Sequence, residues 1–250
     1  MGSYPTVVDW DNDGKHDLMI GDAKGNVQIF LNTNTNTKPI LDGGSYIKAG
    51  GGILNAGARA TPIVDDWNGD EKKDLLIGST DGTIKIYLNR GTDSSPVFDS
   101  PSLLQVGGKD FYLGSRVAPR IYDWDKDGLK DILIGEMEGY VYYLKNAGTN
   151  DIPIFNKSEK LLLGNGDFLQ YPEPTGYPRS RIFITDWNND GLADILLGGK
   201  DGRVMLYLAS SKISNSPPVL AKRAWNQLKE RVSILKNKSI EKIMELKKKF

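Results

Sequence analysis

Four carboxylates are crowded into one short segment near the start of the chain. Residues 9–17 read DWDNDGKHD, with aspartates at positions 1, 3, 5 and 9 and the only histidine of the 250 residues at position 8. Gly14 at position 6 permits a tight turn with positive φ, and Lys15 at position 7 offers its backbone carbonyl. Hard oxygen donors at alternating positions wrap a cation of calcium size, whereas magnesium prefers a smaller octahedron with retained waters. The segment therefore predicts a calcium loop.

Two other interpretations of this segment explain less. In a solvated acidic turn, carboxylates about 5 Å apart would repel by roughly 3 kcal/mol at an effective dielectric near 20, and neither the fixed spacing nor the glycine would be accounted for. An EF-hand needs a glutamate at position 12 and flanking helices. Ile20 stands at that position, inside a strand-like run, so an EF-hand is rejected.

The same nonamer recurs three more times. It returns as DWNGDEKKD at 66–74, DWDKDGLKD at 123–131 and DWNNDGLAD at 186–194. In each copy an apolar run before the loop, a second run after it, a Gly-containing turn and an alternating third run indicate strands. Four antiparallel strands in a repeat of this kind are typical of a propeller blade. The sequence predicts an all-β propeller with blades at about 4–59, 60–115, 116–176 and 177–220.

The last 30 residues break this pattern. Residues 221–250 contain ten Lys or Arg and three Glu, with no Gly or Pro. Trp225, Leu228, Val232 and Leu235 recur at helical spacing. We therefore expect a basic amphipathic α-helix to replace the last strand of the fourth blade. It could cap that blade, form an assembly contact or bind an anionic surface.

Position 8 of the loop is not expected to catalyse. His16 aligns with Lys73, Lys130 and Ala193 in the other copies, and a position that accepts all of these faces solvent. Because the chain has no cysteine and one histidine, triads that use either residue are nearly excluded. The absence of cysteine also excludes disulfides and thiolate metal sites.

Tryptophan follows the first aspartate in every copy. A sugar-stacking platform is one interpretation of this repetition. Packing between neighbouring blades explains it better, because one structural position recurs in each blade. The four residues are Trp10, Trp67, Trp124 and Trp187.

The loop, followed by a strand and Ile-Gly, resembles the FG-GAP/VCBS repeat of integrin-like β-propellers. The resemblance covers residues 4–220 and implies that each loop joins the first two strands of a blade and binds Ca²⁺, up to four ions in all. The implied ligands are Asp9, Asp11, Asp13, the Lys15 carbonyl and Asp17; Asp66, Asn68, Asp70, the Lys72 carbonyl and Asp74; Asp123, Asp125, Asp127, the Leu129 carbonyl and Asp131; and Asp186, Asn188, Asp190, the Leu192 carbonyl and Asp194.

The second loop departs from this pattern. Glu71 stands where the other copies have Gly14, Gly128 and Gly191, and a non-glycine residue at positive φ is strained. The second and fourth loops also hold three carboxylates rather than four. We expect weaker binding at both, and the weakest at the second.

The segments that lead into blades two, three and four each contain tyrosine and arginine. Blade-connecting loops line one face of a propeller, and aromatic and arginine side chains suit contact with a protein or glycan ligand. Ordinary loop packing is the alternative. The candidate ligand-binding residues are Tyr46, Arg59, Tyr112, Arg116, Arg120, Tyr171, Tyr177, Arg179 and Arg181.

Four repeats leave the closure of the ring open. The chain could close as a four-bladed ring sealed by the C-terminal helix, which we favour. Two chains could instead share an eight-bladed ring, or the chain could belong to a larger propeller or stack with copies of itself. Exposed strand edges, which proteins avoid, argue against an open arc.

These features predict a calcium-stabilised, non-catalytic module for extracellular binding, adhesion or assembly. Modest-affinity calcium loops suit extracellular calcium, although the N-terminus lacks the features of a signal peptide. The alternatives are a carbohydrate-active enzyme similar to polysaccharide lyases and a self-assembling surface or filament subunit. No apolar run is long enough to span a membrane, and no nucleic-acid motif accompanies the basic tail. A homo-oligomer could form through that tail or through a shared ring.

Overall fold

The chain folds into β-sheets that follow one another along the sequence. The structure, a computed structural model, describes residues 4–172, 176–210 and 219–223. In chain order the strands are β1 (Tyr4–Val8), β2 (Asp17–Gly21), β3 (Val27–Phe30), β4 (Ser45–Tyr46), β5 (Lys48–Ala49), β6 (Gly52–Ile53), β7 (Thr61–Asp65), β8 (Asp74–Gly78), β9 (Ile84–Tyr87), β10 (Ser102–Leu103), β11 (Gln105–Val106), β12 (Lys109–Asp110), β13 (Ala118–Tyr122), β14 (Asp131–Gly135), β15 (Val141–Leu144), β16 (Glu159–Lys160), β17 (Arg181–Thr185), β18 (Asp194–Gly198), β19 (Val204–Ser210) and β20 (Val219–Arg223).

Sixteen of these strands form four antiparallel sheets of four. The sheets are β1–β4, β7–β10, β13–β16 and β17–β20, each with its strands in sequence order. They are the four blades, and the short hairpins β5–β6 and β11–β12 lie in the segments between blades. The predicted all-β propeller of four repeats is confirmed. The described residues contain no helix, so none there is long and apolar enough to cross a membrane.

The two inner blades are covered on both faces and the two end blades on one. Every residue of β8 and of β14 is buried. In β2, by contrast, buried and half-buried residues alternate, and β18 has half-buried residues at two of its five positions. A strand with a neighbouring sheet on each side is buried throughout, whereas one with a single neighbour alternates. The blades therefore stack in the order one, two, three, four.

Three apolar clusters join successive blades. Trp10 lies in the cluster between blades one and two, where its ring centroid is 6.4 Å from that of Phe98. Trp67 stacks on Phe155 of blade three at 6.1 Å, and Trp124 is fully buried in the cluster that joins blades three and four. The predicted packing of tryptophan between blades is confirmed for these three residues.

The fourth tryptophan does not follow the rule. Trp187 is 42% exposed, and no cluster of described residues joins blade four to blade one. Val204 is 37% exposed, whereas its counterparts Val27, Ile84 and Val141 are fully buried. The expectation that Trp187 packs between blades is wrong because the described residues place no blade after it. In this part of the chain, no apolar core between blades four and one closes the four-bladed ring that we favoured from the sequence.

The fourth blade keeps its last strand. β20 pairs with β19 from Ser210↔Val219 to Leu206↔Arg223, which satisfies the backbone groups at an edge that would otherwise be free. The expectation that a helix replaces this strand is wrong. Residues 221–223 of the predicted helix lie in β20, and the rest of the predicted helix lies outside the described residues.

Glycines at the blade contacts provide a direct test of the stacking order. A methyl group on Gly21 would lie 2.0 Å from the backbone oxygen of Ala60 in blade two, whereas on the equivalent Gly198 its nearest neighbour, Arg181 of the same blade, is 3.9 Å away. We expect Gly21→Ala to lower the free energy of unfolding by about 1–3 kcal/mol through overpacking. Gly198→Ala should change it by less than about 0.5 kcal/mol. Urea denaturation measures both, and equal losses would contradict the stacking order.

Candidate metal loops and the connecting-loop face

The first aspartate of each loop shapes the turn. Asp9 accepts hydrogen bonds from the backbone N–H of Asp13 at 3.1 Å and of Gly14 at 3.0 Å, one on each carboxylate oxygen. Asp66, Asp123 and Asp186 accept the equivalent pairs at distances between 2.8 and 3.1 Å. Position 1 therefore fixes the same turn in all four blades.

The last aspartate of each loop ties the loop to its blade. Asp17 is buried and accepts hydrogen bonds from the N–H of Trp10 at 2.7 Å and of Asn32, just beyond β3, at 2.8 Å. Asp74, Asp131 and Asp194 are also buried and make the equivalent pair of bonds. Burial raises the pKa of Asp74 and of Asp131, because desolvation disfavours the charged form of a carboxylate.

Carboxylate oxygens converge in three of the loops. Within each group below, one oxygen from each residue lies within 4.8 Å of the others, as a shared cation requires. Among the described residues the fourth loop is not part of such a group. Asp125 Oδ1 is buried with no hydrogen-bond partner, an arrangement that a cation would relieve. The groups are Asp9, Asp11 and Asp13; Asp66, Asp70 and Asp74; and Asp123, Asp125 and Asp127.

Lysine ammonium groups already pair with these carboxylates. Lys15 Nζ lies 2.6 Å from Asp13, and Lys145 Nζ contacts both Asp125 and Asp127. The hydrogen bond from Lys145 holds the pKa of Asp127 below its usual range. The loops therefore attract positive charge, and their hard oxygen donors fit calcium. The individual ligand roles, including those of the position 7 carbonyls, stay predictions.

The strain predicted for the second loop is present. Glu71 has φ of 64°, close to the 81° of Gly14, so an L side chain occupies left-handed backbone. The glycine of this loop has moved to position 4, where Gly69 replaces Asn12, Lys126 and Asn189, all of which have positive φ. The second loop thus keeps the turn of the others with the glycine at a different position.

The candidate tyrosines fall into two groups. Tyr171 is 1% exposed, and its hydroxyl donates to the Asp201 carboxylate; burial, followed by this bond, raises its pKa to about 12. Tyr171 is therefore a core residue of the blade 3–4 contact. Tyr46, Tyr112 and Tyr177 are exposed, as a role in binding requires.

Two of the exposed tyrosines share a cleft. Tyr112 and Tyr177, from different connecting segments, line a cleft of about 430 Å³ together with Tyr142 and Glu136. The sequence did not single out Tyr142 or Glu136. Tyr142 belongs to the alternating run of β15, whose pattern marks it as a strand residue rather than a site residue.

The candidate arginines gather at the end of the innermost strands that lies opposite the metal loops. Arg59 Nη1 donates to the hydroxyl of Tyr4 at 3.4 Å, and the guanidinium of Arg181 lies 5.2 Å from the centre of the same ring. Arg120 and Arg181 line a central cavity of about 310 Å³. Tyr4 was not predicted, because its counterparts Thr61, Ala118 and Arg181 share no chemistry with it.

The geometry agrees with comparisons to known proteins. Residues 66–134 match a family model described as an FG-GAP-like repeat. Integrin alpha-3 of Cricetulus griseus is 26% identical over 163 residues, which cover 60% of this chain and 15% of that protein. The resemblance to integrin-like FG-GAP propellers is confirmed.

Further integrin alpha chains are similar to this chain over a comparable length. Integrin alpha-4 of Xenopus laevis is 27% identical over 64% of the chain and 16% of its own length. Integrin alpha-IIb of Homo sapiens is 27% identical over 65% of the chain and 17% of its own length. The chain thus spans about one sixth of the length of these relatives.

A solved structure also aligns with most of this chain. It is a lectin from Agrocybe aegerita, described as recognising non-reducing terminal N-acetylglucosamine. The alignment has a TM-score of 0.46 and 17% identity, and covers 89% of this chain and 52% of the lectin.

Variants of two aspartates in the first loop distinguish a structural role of the carboxylate from a role in ion binding. Asp17→Asn replaces one of the two buried carboxylate oxygens with an NH2 group, so either the Trp10 or the Asn32 backbone N–H loses its acceptor. We therefore expect a loss of about 1–3 kcal/mol in the free energy of unfolding, with or without calcium. Asp11→Asn is the matched control, because Asn68 and Asn188 occupy that position in other loops and keep the hydrogen bond to position 5. Asp11→Asn should lower the free energy of unfolding only when calcium is present. Thermal denaturation in calcium and in chelator measures both, and an Asp17→Asn loss confined to calcium would contradict the supporting role.

Proposed function

We propose that this FG-GAP propeller is a calcium-stabilised, non-catalytic module for extracellular binding or adhesion. The observation that carries the proposal is the loop framework, because four loops share the same hydrogen bonds and three of them bring carboxylate oxygens within 4.8 Å of one another. Like charges held so close favour the binding of a cation. Calcium accepts oxygen donors in flexible geometry, which suits loops that differ at positions 3 and 6.

Extracellular conditions suit such sites. Extracellular calcium modules work with dissociation constants of about 10⁻⁴ to 10⁻³ M. The family match and the distant integrin alpha relatives support a cell-surface or extracellular setting and a protein or glycan ligand. Exposed Tyr112 and Tyr177 on the connecting-loop face supply the aromatic surface that such a ligand would contact.

A catalytic role is not supported by a specific observation. His16 is exposed, as predicted for position 8, and its backbone N–H donates to the side chain of Asn36 at 2.6 Å. The equivalent N–H groups of Lys73 and Lys130 donate to Asp93 and Asn150. Position 8 therefore serves the fold in the first three loops. The expectation that this position faces solvent is wrong for the fourth loop, because Ala193 is buried in the apolar cluster between blades three and four.

Removal of calcium should destabilise the fold. An ion that binds the folded loops alone stabilises by about 1.4 kcal/mol per site at a free concentration ten times the dissociation constant. We expect the melting temperature to fall when calcium is chelated and to recover when calcium is added back. Magnesium at the same concentration is the control and should restore less. A melting temperature that ignores chelation would contradict the proposal.

The open faces of the end blades favour assembly as a second role. Trp187 on the outer face of blade four has the position from which Trp10 and Trp67 reach a phenylalanine of the next blade. The blade-one counterpart of those phenylalanines is Leu41, which is 39% exposed, whereas Phe98 is 3% exposed. We propose that blade four of one copy packs on blade one of a second copy, which repeats the contact already made three times within the chain.

Mass in solution tests this assembly. We expect the chain to self-associate with a mass that depends on concentration, and Trp187→Asp or Leu41→Asp to yield monomers. Ile152→Asp is the control, because Ile152 is 69% exposed on blade three, away from the end faces. Analytical ultracentrifugation in calcium measures all four proteins. A wild-type protein that stays monomeric at every concentration would contradict the second-copy contact. A monomer in which the chain itself shields the fluorescence of Trp187 from quenchers would also contradict it.

A further inference from the structure

Arginines from three blade-connecting segments meet at the mouth of the central channel. Arg59, Arg116 and Arg179 each lie two residues before the innermost strand of a blade and have φ of 61°, 59° and 59°. Non-glycine residues in left-handed backbone cost about 1–3 kcal/mol each and cluster at functional sites. The same strained conformation at the same repeat position delivers each guanidinium to this mouth.

The guanidinium groups lie close enough to repel one another. Burial, followed by the charges of Arg179 and Arg59, lowers the pKa of Arg116. Burial also lowers the pKa of Arg181, and Arg179 and Arg59 act in the same direction. Since arginine stays protonated in proteins, the cluster keeps its charge and needs a counter-charge.

Tyr4 lies at the centre of this cluster. Burial alone would raise the pKa of its hydroxyl, but the hydrogen bonds from Arg59 and Arg181 outweigh burial and lower it. A single phenol provides at most one negative charge, and its ring already faces Arg181. Tyr4 therefore cannot neutralise four guanidinium groups.

The described residues supply no carboxylate to the cluster. In residues 4–172, 176–210 and 219–223, the arginines that form ion pairs are Arg90 and Arg203, both elsewhere. Arg116 Nη1 and Arg179 Nε are buried without a hydrogen-bond partner. Unsatisfied buried donors of a charged group are costly. Both donors and the excess charge would be satisfied by one bound anion.

We propose that the mouth of the channel binds an oxyanion, a carboxylate or sulfate group of a ligand, between Arg59, Arg116, Arg179 and Arg181. Guanidinium forks match the paired oxygens of such groups and bind them through parallel hydrogen bonds. The cavity behind the mouth, about 310 Å³ and lined by Arg120, leaves room for the anion and its first substituent. The inference rests on the proposed binding function, to which it assigns a ligand class, and it places the anion at the end of the innermost strands opposite the metal loops.

Two small anions and one pair of variants test the site. The full chain is titrated with inorganic sulfate, which is tetrahedral, and with succinate, which presents planar carboxylates, at constant ionic strength set by chloride and at constant free calcium. We expect a saturable rise in melting temperature with at least one of them. Arg116→Gln should raise the dissociation constant about tenfold or more, because a charged hydrogen bond is lost. Arg116→Lys should recover part of the affinity, since it restores the charge without the fork.

The sign of the change in the free energy of unfolding distinguishes anion binding by Arg116 from a role of Arg116 in packing. In chloride alone, Arg116→Gln should be as stable as the wild type or more stable, because a repulsive charge is removed; in saturating anion it should be less stable. Arg90→Gln is the control, because it makes the same charge change on an exposed residue and should leave anion binding unchanged.

Each outcome decides the inference. A response to sulfate alone would indicate a tetrahedral ligand group and a response to succinate alone a carboxylate. Shifts no larger than those in chloride would overturn the inference, as would an unchanged dissociation constant in Arg116→Gln; either result would indicate that the chain's own carboxylates neutralise the cluster. Calcium dependence is measured on the same samples, so that a failure of the anion site is distinguished from a failure of calcium stabilisation.

Discussion

The propeller depends on the buried carboxylate that ends each loop. Burying a carboxylate is costly unless it is hydrogen-bonded, and Asp17 meets this condition with two backbone N–H groups, from Trp10 and from Asn32 at the end of β3. These two bonds fix both the loop and the backbone of the tryptophan. The indole of Trp10 then reaches Phe98 of the next blade. One polar contact thus organises the metal loop within a blade and the apolar contact between blades.

Because the interface repeats, its absence at one end is informative. Blades two and three use both of their faces, and their central strands β8 and β14 are buried throughout. Blade four has the same apolar residue types on its outer face, but Trp187 and Val204 remain exposed there. In a repeat protein each unit buries its surface against its neighbours. A repeat surface that stays exposed is therefore complementary in shape and chemistry to another blade.

The innermost strands separate two regions of opposite charge. Each strand has five residues, as in β1 from Tyr4 to Val8, which is about 13 Å between its end residues. Aspartate loops follow one end, and arginines precede the other. Both regions concentrate like charges that the described residues do not fully neutralise, and both are built from backbone with positive φ, at Glu71 and Arg116 for example. Strain at such positions is maintained only when the surrounding structure imposes it.

The sequence by itself determined the repeat, the strands and the positions of the loop carboxylates, because these follow from local residue spacing and from the recurrence of the loop along the chain. It also showed that Glu71 replaces a glycine, and the strain followed from that. Only the tertiary structure decided which faces meet. Trp187 has the same position in its loop as Trp10, and the two differ in exposure because, among the described residues, only Trp10 has a neighbouring blade on that face. The sequence placed Arg59, Arg116 and Arg179, which are more than 50 residues apart from one another, in connecting segments that line one face. It did not indicate that their guanidinium groups share one mouth, since that depends on the angle at which successive blades pack.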